Sequence, residues 1–234
     1  MVSESSKSLP WGGELPTGWE TRRVKTAYVV RLGKMLQPEP STAIDKQVPY
    51  LKALHVAWGK VRTRDLPEMW ASRRDVDEWN LRPGDLLVCE GGDVGRAGFI
   101  EEAPEDCIIQ NSLHRVRPKS GHSIRFLYYC LEAISASGWF DVVCNKATIR
   151  HLTAEKLAEL LIPSISESVQ LDIVNYLDER VAVIDVLIGQ SKRSDKLEGF
   201  VGQQLNRLYE YRRALITAAV TGKIDVTAET NGSA

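Results

Sequence analysis

The feature that most limits this chain is a long stretch without proline. After Pro163, none occurs through Val220. Proline deletes an amide donor and clashes with the turn before it, so its absence leaves a long helix permitted. Apolar residues in the stretch recur at spacings of three and four. One run is Val174, Leu177, Val181, Ile184 and Ile188. A second is Leu197, Val201, Gln204, Leu208, Tyr211 and Leu215. A narrow seam of that period is the pattern of a coiled coil, and these residues are the candidate helix seam and dimerisation surface. Ser164 or Ser166 offers an N-cap, and Glu167 follows where its charge suits the helix dipole. The seam breaks at Gly189-Gln190-Ser191-Lys192-Arg193-Ser194. Two readings follow. One is an unbroken helix from about Ser166 to Val220, roughly 80 Å long at the helical rise. The other is a hairpin turning at the break.

The region from Trp19 to Leu161 has a different grain. Short β-rich runs such as Asp85-Leu86-Leu87-Val88-Cys89, Ala97-Gly98-Phe99-Ile100 and Cys107-Ile108-Ile109 are punctuated by Gly and Pro. Leu113, Arg115 and Arg117 alternate with His114 and Val116, as in a half-exposed strand. Ile124 to Ser137 has helical spacing. The expected fold class is therefore α+β: a globular α/β domain followed by a long C-terminal coiled-coil-forming helical region. The expected division is a disordered tail at 1–14, a globular domain at 15–163, a helical region at 164–222 and a second disordered tail at 223–234.

Charge is informative only when divided. The whole chain carries a net charge of -1. Residues 153–190 hold seven acids against two bases, whereas residues 191–223 hold seven bases against three acids. An antiparallel second copy sets acidic beside basic and joins the two seams. An intrachain hairpin satisfies the same pattern.

Several chemistries are excluded or disfavoured. No apolar run is long enough for a membrane-spanning helix, and Met1 to Pro10 lacks the apolar core of a secretory signal, so a cytoplasmic location is expected. Cys89, Cys107, Cys130 and Cys144 form no CxxC pair, so neither a metal site nor a disulfide framework is expected. Cys130 reads as a small buried hydrophobe. Gly92-Asp93-Val94-Gly95-Arg96-Ala97-Gly98 superficially resembles a phosphate loop, but flanking strands make it a hairpin turn. Asp75, Asp77 and Glu78 cluster without a lysine at nuclease spacing and read as a solvated loop beside Trp79. No methyltransferase Asn/Asp-Pro-Pro-Tyr/Phe motif and no Ser-His-Asp arrangement is found. The six tryptophans are too dispersed for a base-stacking platform, and core packing accounts for most of them. No catalytic residue and no metal ligand is assigned.

The C-terminal third carries three more specific runs: Leu160-Leu161-Ile162-Pro163, Ile173-Val174-Asn175-Tyr176-Leu177-Asp178, and Tyr211-Arg212-Arg213-Ala214-Leu215-Ile216-Thr217-Ala218-Ala219-Val220-Thr221-Gly222-Lys223-Ile224-Asp225. Earlier come Leu15-Pro16-Thr17-Gly18-Trp19, Arg82-Pro83-Gly84-Asp85-Leu86-Leu87-Val88, Ile109-Gln110-Asn111-Ser112-Leu113 and Thr148-Ile149-Arg150-His151-Leu152. In this order they resemble the specificity subunits of type I restriction–modification systems, in a half-length form with one target recognition domain. One departure is Glu167-Ser168-Val169-Gln170, where the family often has Glu-Gln. The resemblance favours the unbroken helix.

That resemblance implies a non-catalytic, DNA-binding subunit that reads one half of a bipartite site in double-stranded DNA. It implies modification (methyltransferase) subunits and a motor-nuclease restriction subunit as partners. S-adenosylmethionine would sit on the modification subunits, with no cofactor on this chain. A half-length subunit needs a second reader, most simply from an antiparallel homodimer centred near Lys192 to Ser194. DNA reading needs cations for phosphates and forked donors for base edges. The candidates are Lys60, Arg62, Arg64, Arg73, Arg74, Arg96, Lys146, Arg150 and His151, with Gln110 and Asn111 for adenine edges. Lys60, Arg62 and Arg64 alternate with Val61 and Thr63, which puts them on one strand face. The alternatives are a protein-interaction scaffold that has lost DNA reading, or one half of a split subunit that pairs with a different half.

Overall fold

The computed structural model describes residues 7–144, 151–192 and 200–226. In chain order the first elements are β1 (Ser8–Leu9), β2 (Gly13–Glu14), β3 (Glu20–Arg23), α1 (Val24–Ala27), β4 (Tyr28–Leu32), β5 (Lys46–Leu51), β6 (Val56–Ala57), β7 (Gly59–Val61) and β8 (Glu68–Ala71). Then come α2 (Arg73–Trp79), β9 (Leu86–Cys89), β10 (Ala97–Phe99), β11 (Ile108–Ile109), β12 (Leu113–Pro118), α3 (Ile124–Ala136) and α4 (Trp139–Val143). The last are α5 (Ala154–Glu159), β13 (Leu161–Ser164), α6 (Glu167–Lys192) and α7 (Phe200–Val220). The class is α+β, as expected. Two compact units emerge, each drawn from separated stretches of sequence. A sheet unit takes Arg23–Ile124 and Gly138–Leu161, and a helical unit takes the residues up to Arg22, Arg125–Ser137 and those from Ile162 onward.

In the sheet unit, a mixed six-stranded sheet runs β4-β12-β9-β10-β7-β6 and a three-stranded sheet runs β11-β5-β8. The period of two along strands sorts their side chains into two cores. Leu51 and Ile109 join Leu87, Cys89 and Leu113 in the core shared by the two sheets. Val48, Tyr50 and Ile108 point the other way and pack with Met69, Ala71 and Val76 of α2. The glycine-rich segment after β9 is a hairpin connection: β10 returns antiparallel to β9 with Ala97 opposite Val88. Gly95 has φ +80°, and an added Cβ there would lie 2.2 Å from the Phe140 ring. A side chain is therefore barred twice.

Two local expectations need correction here. Asp75, Asp77 and Glu78 lie on α2, not in a loop. Ser72 caps that helix by accepting from Asp75 N, and the Asp75 carboxylate accepts from Ser72 N. This reciprocal box supplies the first turn that the short sequence pattern concealed. The strand β12 is not half-exposed. It lies between β4 and β9, and His114, Arg115 and Val116 are all buried.

The helical unit contains two helices where a single rod was favoured. α6 and α7 pack against each other. The 193–199 connection reaches at most about 28 Å fully extended, less than the roughly 39 Å length of α6, so the pair is antiparallel. The hairpin reading holds, and the unbroken helix does not. Ser166 is the N-cap, accepting from Val169 N at 3.4 Å. Gln170, at the point of departure from the family pattern, is buried and donates to Ile165 O at 3.0 Å. Val174, Leu177, Val181, Ile184 and Ile188 are all buried, each contributing about 1.5–3 kcal/mol. On α7 the buried face is rotated from the expected seam. Leu215, Ile216, Ala219 and Val220 are buried and Leu208 is half-buried, whereas Gln204 and Tyr211 are exposed. Leu197 and the side chain of Val201 lie outside the described residues.

The acid–base split of the helices is realised inside the chain. Arg212 of α7 donates to Glu132 of α3 at 2.9 Å and to Asp185 of α6 at 3.0 Å. Burial raises the Glu132 carboxyl, and Arg212 beside it opposes that shift. Asp178 of α6 accepts from both Arg125 and Tyr129. Gly222 ends α7 at φ +70°, with Lys223 N donating to Ala218 O at 2.8 Å. That is the expected glycine C-cap. Residues 7–14, expected within a tail, are instead built in. β1 pairs with β2, Leu9 and Trp11 are buried, and Lys223 Nζ donates to Gly12 O. Val226, expected within the second tail, is also buried. Burial of apolar side chains holds both segments in place.

Candidate nucleic-acid interface

The predicted DNA contacts fall on several elements of the sheet unit. Lys60 lies on β7, which ends at Val61. The alternation nonetheless continues past the strand: Lys60, Arg62 and Arg64 are exposed while Val61 and Thr63 are half-buried. Arg62 N donates to His55 O at 2.9 Å, which holds this extended segment in place. Burial lowers the His55 imidazole pKa, and the positive charges of Arg62 and Lys52 add to the effect.

Arg73 and Arg74 open α2, and both are exposed. Arg73 is committed to Asp77 at 3.1 Å and Asp106 at 3.7 Å, while Arg74 has no ion pair among the described residues. Arg96 and Gln110 converge on Ala53. The Arg96 guanidinium donates to Ala53 O at 3.1 Å and pairs with Asp93 at 3.2 Å. Gln110 Oε1 accepts from Ser112 Oγ at 2.7 Å, and that hydroxyl accepts from Ala53 N. These two side chains brace a loop. Asn111 is half-buried beside them, its backbone N–H donating to Lys34 O. His151 is exposed, 3.9 Å from Glu90. Lys146 and Arg150 lie outside the described residues.

The sequence reading passed over a denser group of cations. Arg31 of β4 stands directly opposite Arg115 of β12, and Arg117 shares their face two residues on. Arg82 lies in the turn before β9, where its amide donates to Asp85 Oδ2 at 2.8 Å. Arg117 forms a two-pronged pair with the buried Asp85, at 2.5 and 2.8 Å. Arg31 pairs with Glu78 at 2.9 Å. Arg115 is only 8% exposed. It donates to the carbonyls of Asn80 and Glu78 and has no carboxylate partner among the described residues. Burial, with Arg117 next to it, pushes the Arg115 pKa down to about 10. The available signal was Arg at i and i+2 of one strand, which period-two reading places side by side.

Among the described residues, no three His, Cys, Asp or Glu side chains gather as metal ligands, and no helix is long and apolar enough to cross a membrane. No curated protein matches the chain. Two solved structures share its fold. One comes from a study of complex assembly and conformational transition of the type I R-M system, at TM-score 0.58 and 20% identity, covering 91% of this chain and 48% of that one. The other is the HsdS subunit from Thermoanaerobacter tengcongensis, at TM-score 0.56 and 21% identity, covering 91% and 47%. The chain thus spans about half the length of each. The model of the type I restriction modification DNA specificity domain matches residues 73–192, from the start of α2 to the end of α6. That match takes in just over half of the sequence, and the chain belongs to this family of non-catalytic specificity domains.

Proposed function

We propose that the chain is a sequence-specific DNA-binding specificity subunit that reads one half of a bipartite site within a type I restriction–modification complex. The family match over residues 73–192 carries this reading. The reading role falls to residues 15–163 and the docking of modification subunits to residues 164–222. Those subunits would hold S-adenosylmethionine, and a motor-nuclease subunit would complete the assembly in the cytoplasm. Exposed Lys60, Arg62, Arg64 and Arg74 are available for phosphates or base edges. Arg96 and Gln110 are weaker candidates because their polar atoms are already engaged.

An antiparallel second copy would supply the other half-site reader. The charge split no longer favours this arrangement over others, because the α6–α7 hairpin satisfies it. The remaining support is an apolar stripe outside the seam, where Val183 and Val186 of α6 are about three-fifths exposed. A second copy there would cover it and give a symmetric, self-complementary contact.

The test is duplex binding by the full chain, alone and with modification subunits, over a range of salt. Salt-sensitive binding with sequence selectivity in the complex is the expected result. Binding without site preference in the complex favours the scaffold reading. Light scattering checks the dimer, and a mass of 26.2 kDa counts against it.

A further inference from the structure

We propose that Arg31, Arg82, Arg115 and Arg117 form a contact site for a DNA backbone phosphate, with Arg31 and Arg82 touching it. The inference rests on the DNA-reading function proposed above and names a site for it.

The argument starts from the register. Arg31 and Arg115 are directly opposed across β4 and β12, and like charges directly opposite destabilise a sheet. Arg117 adds a third cation on the same face. Among the described residues, the carboxylates paired with the group are Glu78 and Asp85. Asp85 is buried, pairs with Arg117 through both oxygens and also accepts from Arg82 N. Glu78 meets Arg31 at a half-open surface, where the Arg31 side chain is 51% exposed. Such a pair contributes little to the fold. Four cations therefore confront two anions, and the excess is not an accident of mobile side chains. Arg115 is buried and fixed by the Asn80 and Glu78 carbonyls. Its charge lies beneath the surface, where solvent screens it poorly.

The outer layer has the chemistry to receive an anion. Arg82 is exposed, and its side chain has no partner among the described residues. Arg31 has donors beyond the one given to Glu78. A phosphodiester offers two oxygens and one negative charge, which suits guanidinium forks approaching from two sides. The surplus positive field beneath favours that charge and carries no information about base identity.

The test compares the full chain with Arg31→Ala, Arg82→Ala and the double variant. Lys7→Ala, at an exposed position outside the regions assigned to reading and docking, serves as a single-charge control. Both substituted side chains are exposed, so melting temperatures should stay at the wild-type value. The expected result is about tenfold weaker binding by the double variant to specific and unrelated duplexes alike. The slope of log K against log salt should fall by about one. Wild-type affinity and slope in the double variant would overturn the site while leaving DNA reading intact. A loss confined to one target sequence would also overturn it, in favour of a base contact. If the wild-type chain, alone and in the complex, bound no duplex, the functional reading itself would fall with it.

Discussion

The two units treat their charges in opposite ways. At the centre of the helical unit, the ion pairs that join its helices close within the chain. Arg212 ties α3, α6 and α7 through Glu132 and Asp185, and Asp178 is held by Arg125 and Tyr129. In one cluster of the sheet unit, Arg31, Arg82, Arg115 and Arg117 have two carboxylate partners among the described residues, Glu78 and Asp85, and the buried Arg115 answers only to carbonyl oxygens. The lesson is that an Arg-rich sequence has two meanings. A cation locked between helices builds the fold, whereas a cation left unmatched at a sheet surface is available to something outside the chain. The near-zero net charge conceals this difference.

Breaking the helical side of that comparison should cost the most. Arg212→Ala leaves the Glu132 carboxylate buried without its partner, and chemical denaturation should show a loss of about 3–5 kcal/mol. Gly222→Ala comes next. Its φ of +70° and a Cβ only 2.6 Å from Pro16 should together cost about 2–3 kcal/mol by the same measurement.

The sheet unit should be more sensitive to acid. His114 is fully buried, with Nε2 2.6 Å from Leu152 O. Burial lowers its pKa below the ordinary 6.5, against the opposing pull of that carbonyl. A depressed imidazole contributes stability that is complete above pH 6.5 and is lost as pH falls toward the folded-state value. Melting temperature should decline from pH 7 to pH 5, and His114→Gln should flatten that decline. The smallest stability effect is expected at Arg62→Ala and Arg64→Ala, within about 0.5 kcal/mol. Their consequence should appear in DNA affinity instead. If Arg62 or Arg64 proved as costly to the fold as Arg212, the contrast between the units would disappear.

Much of this was legible in the sequence, for definite reasons. The α6 seam was readable because its side chains meet partners at one period, and burial follows the period. The hairpin after β9 was readable because glycines interrupt two strand-like runs. The α6–α7 turn was not, because an intrachain hairpin and an antiparallel second copy leave the same pattern of acids, bases and apolar residues. α2 was hidden by its length, since seven residues carry too few turns to display a period. Arg115 was misread for a deeper reason. A strand residue is judged exposed or buried by its neighbours in sequence, but the oxygens that accept its protons come from residues 78 to 80. The arginine cluster has the same origin, since strand pairing alone brings Arg31 to Arg115.

The contact between Gly222 and Pro16, with Lys223 reaching Gly12, sets an order on biosynthesis. Gly12 has no counterpart until Lys223, 211 residues further on, has been translated. The sheet unit can collapse on its own residues in the interval, while Leu9 and Trp11 wait, exposed to any passing chaperone. A nascent chain stalled before Thr221 should therefore carry a finished sheet unit and an open N-terminal segment, distinguishable by limited proteolysis.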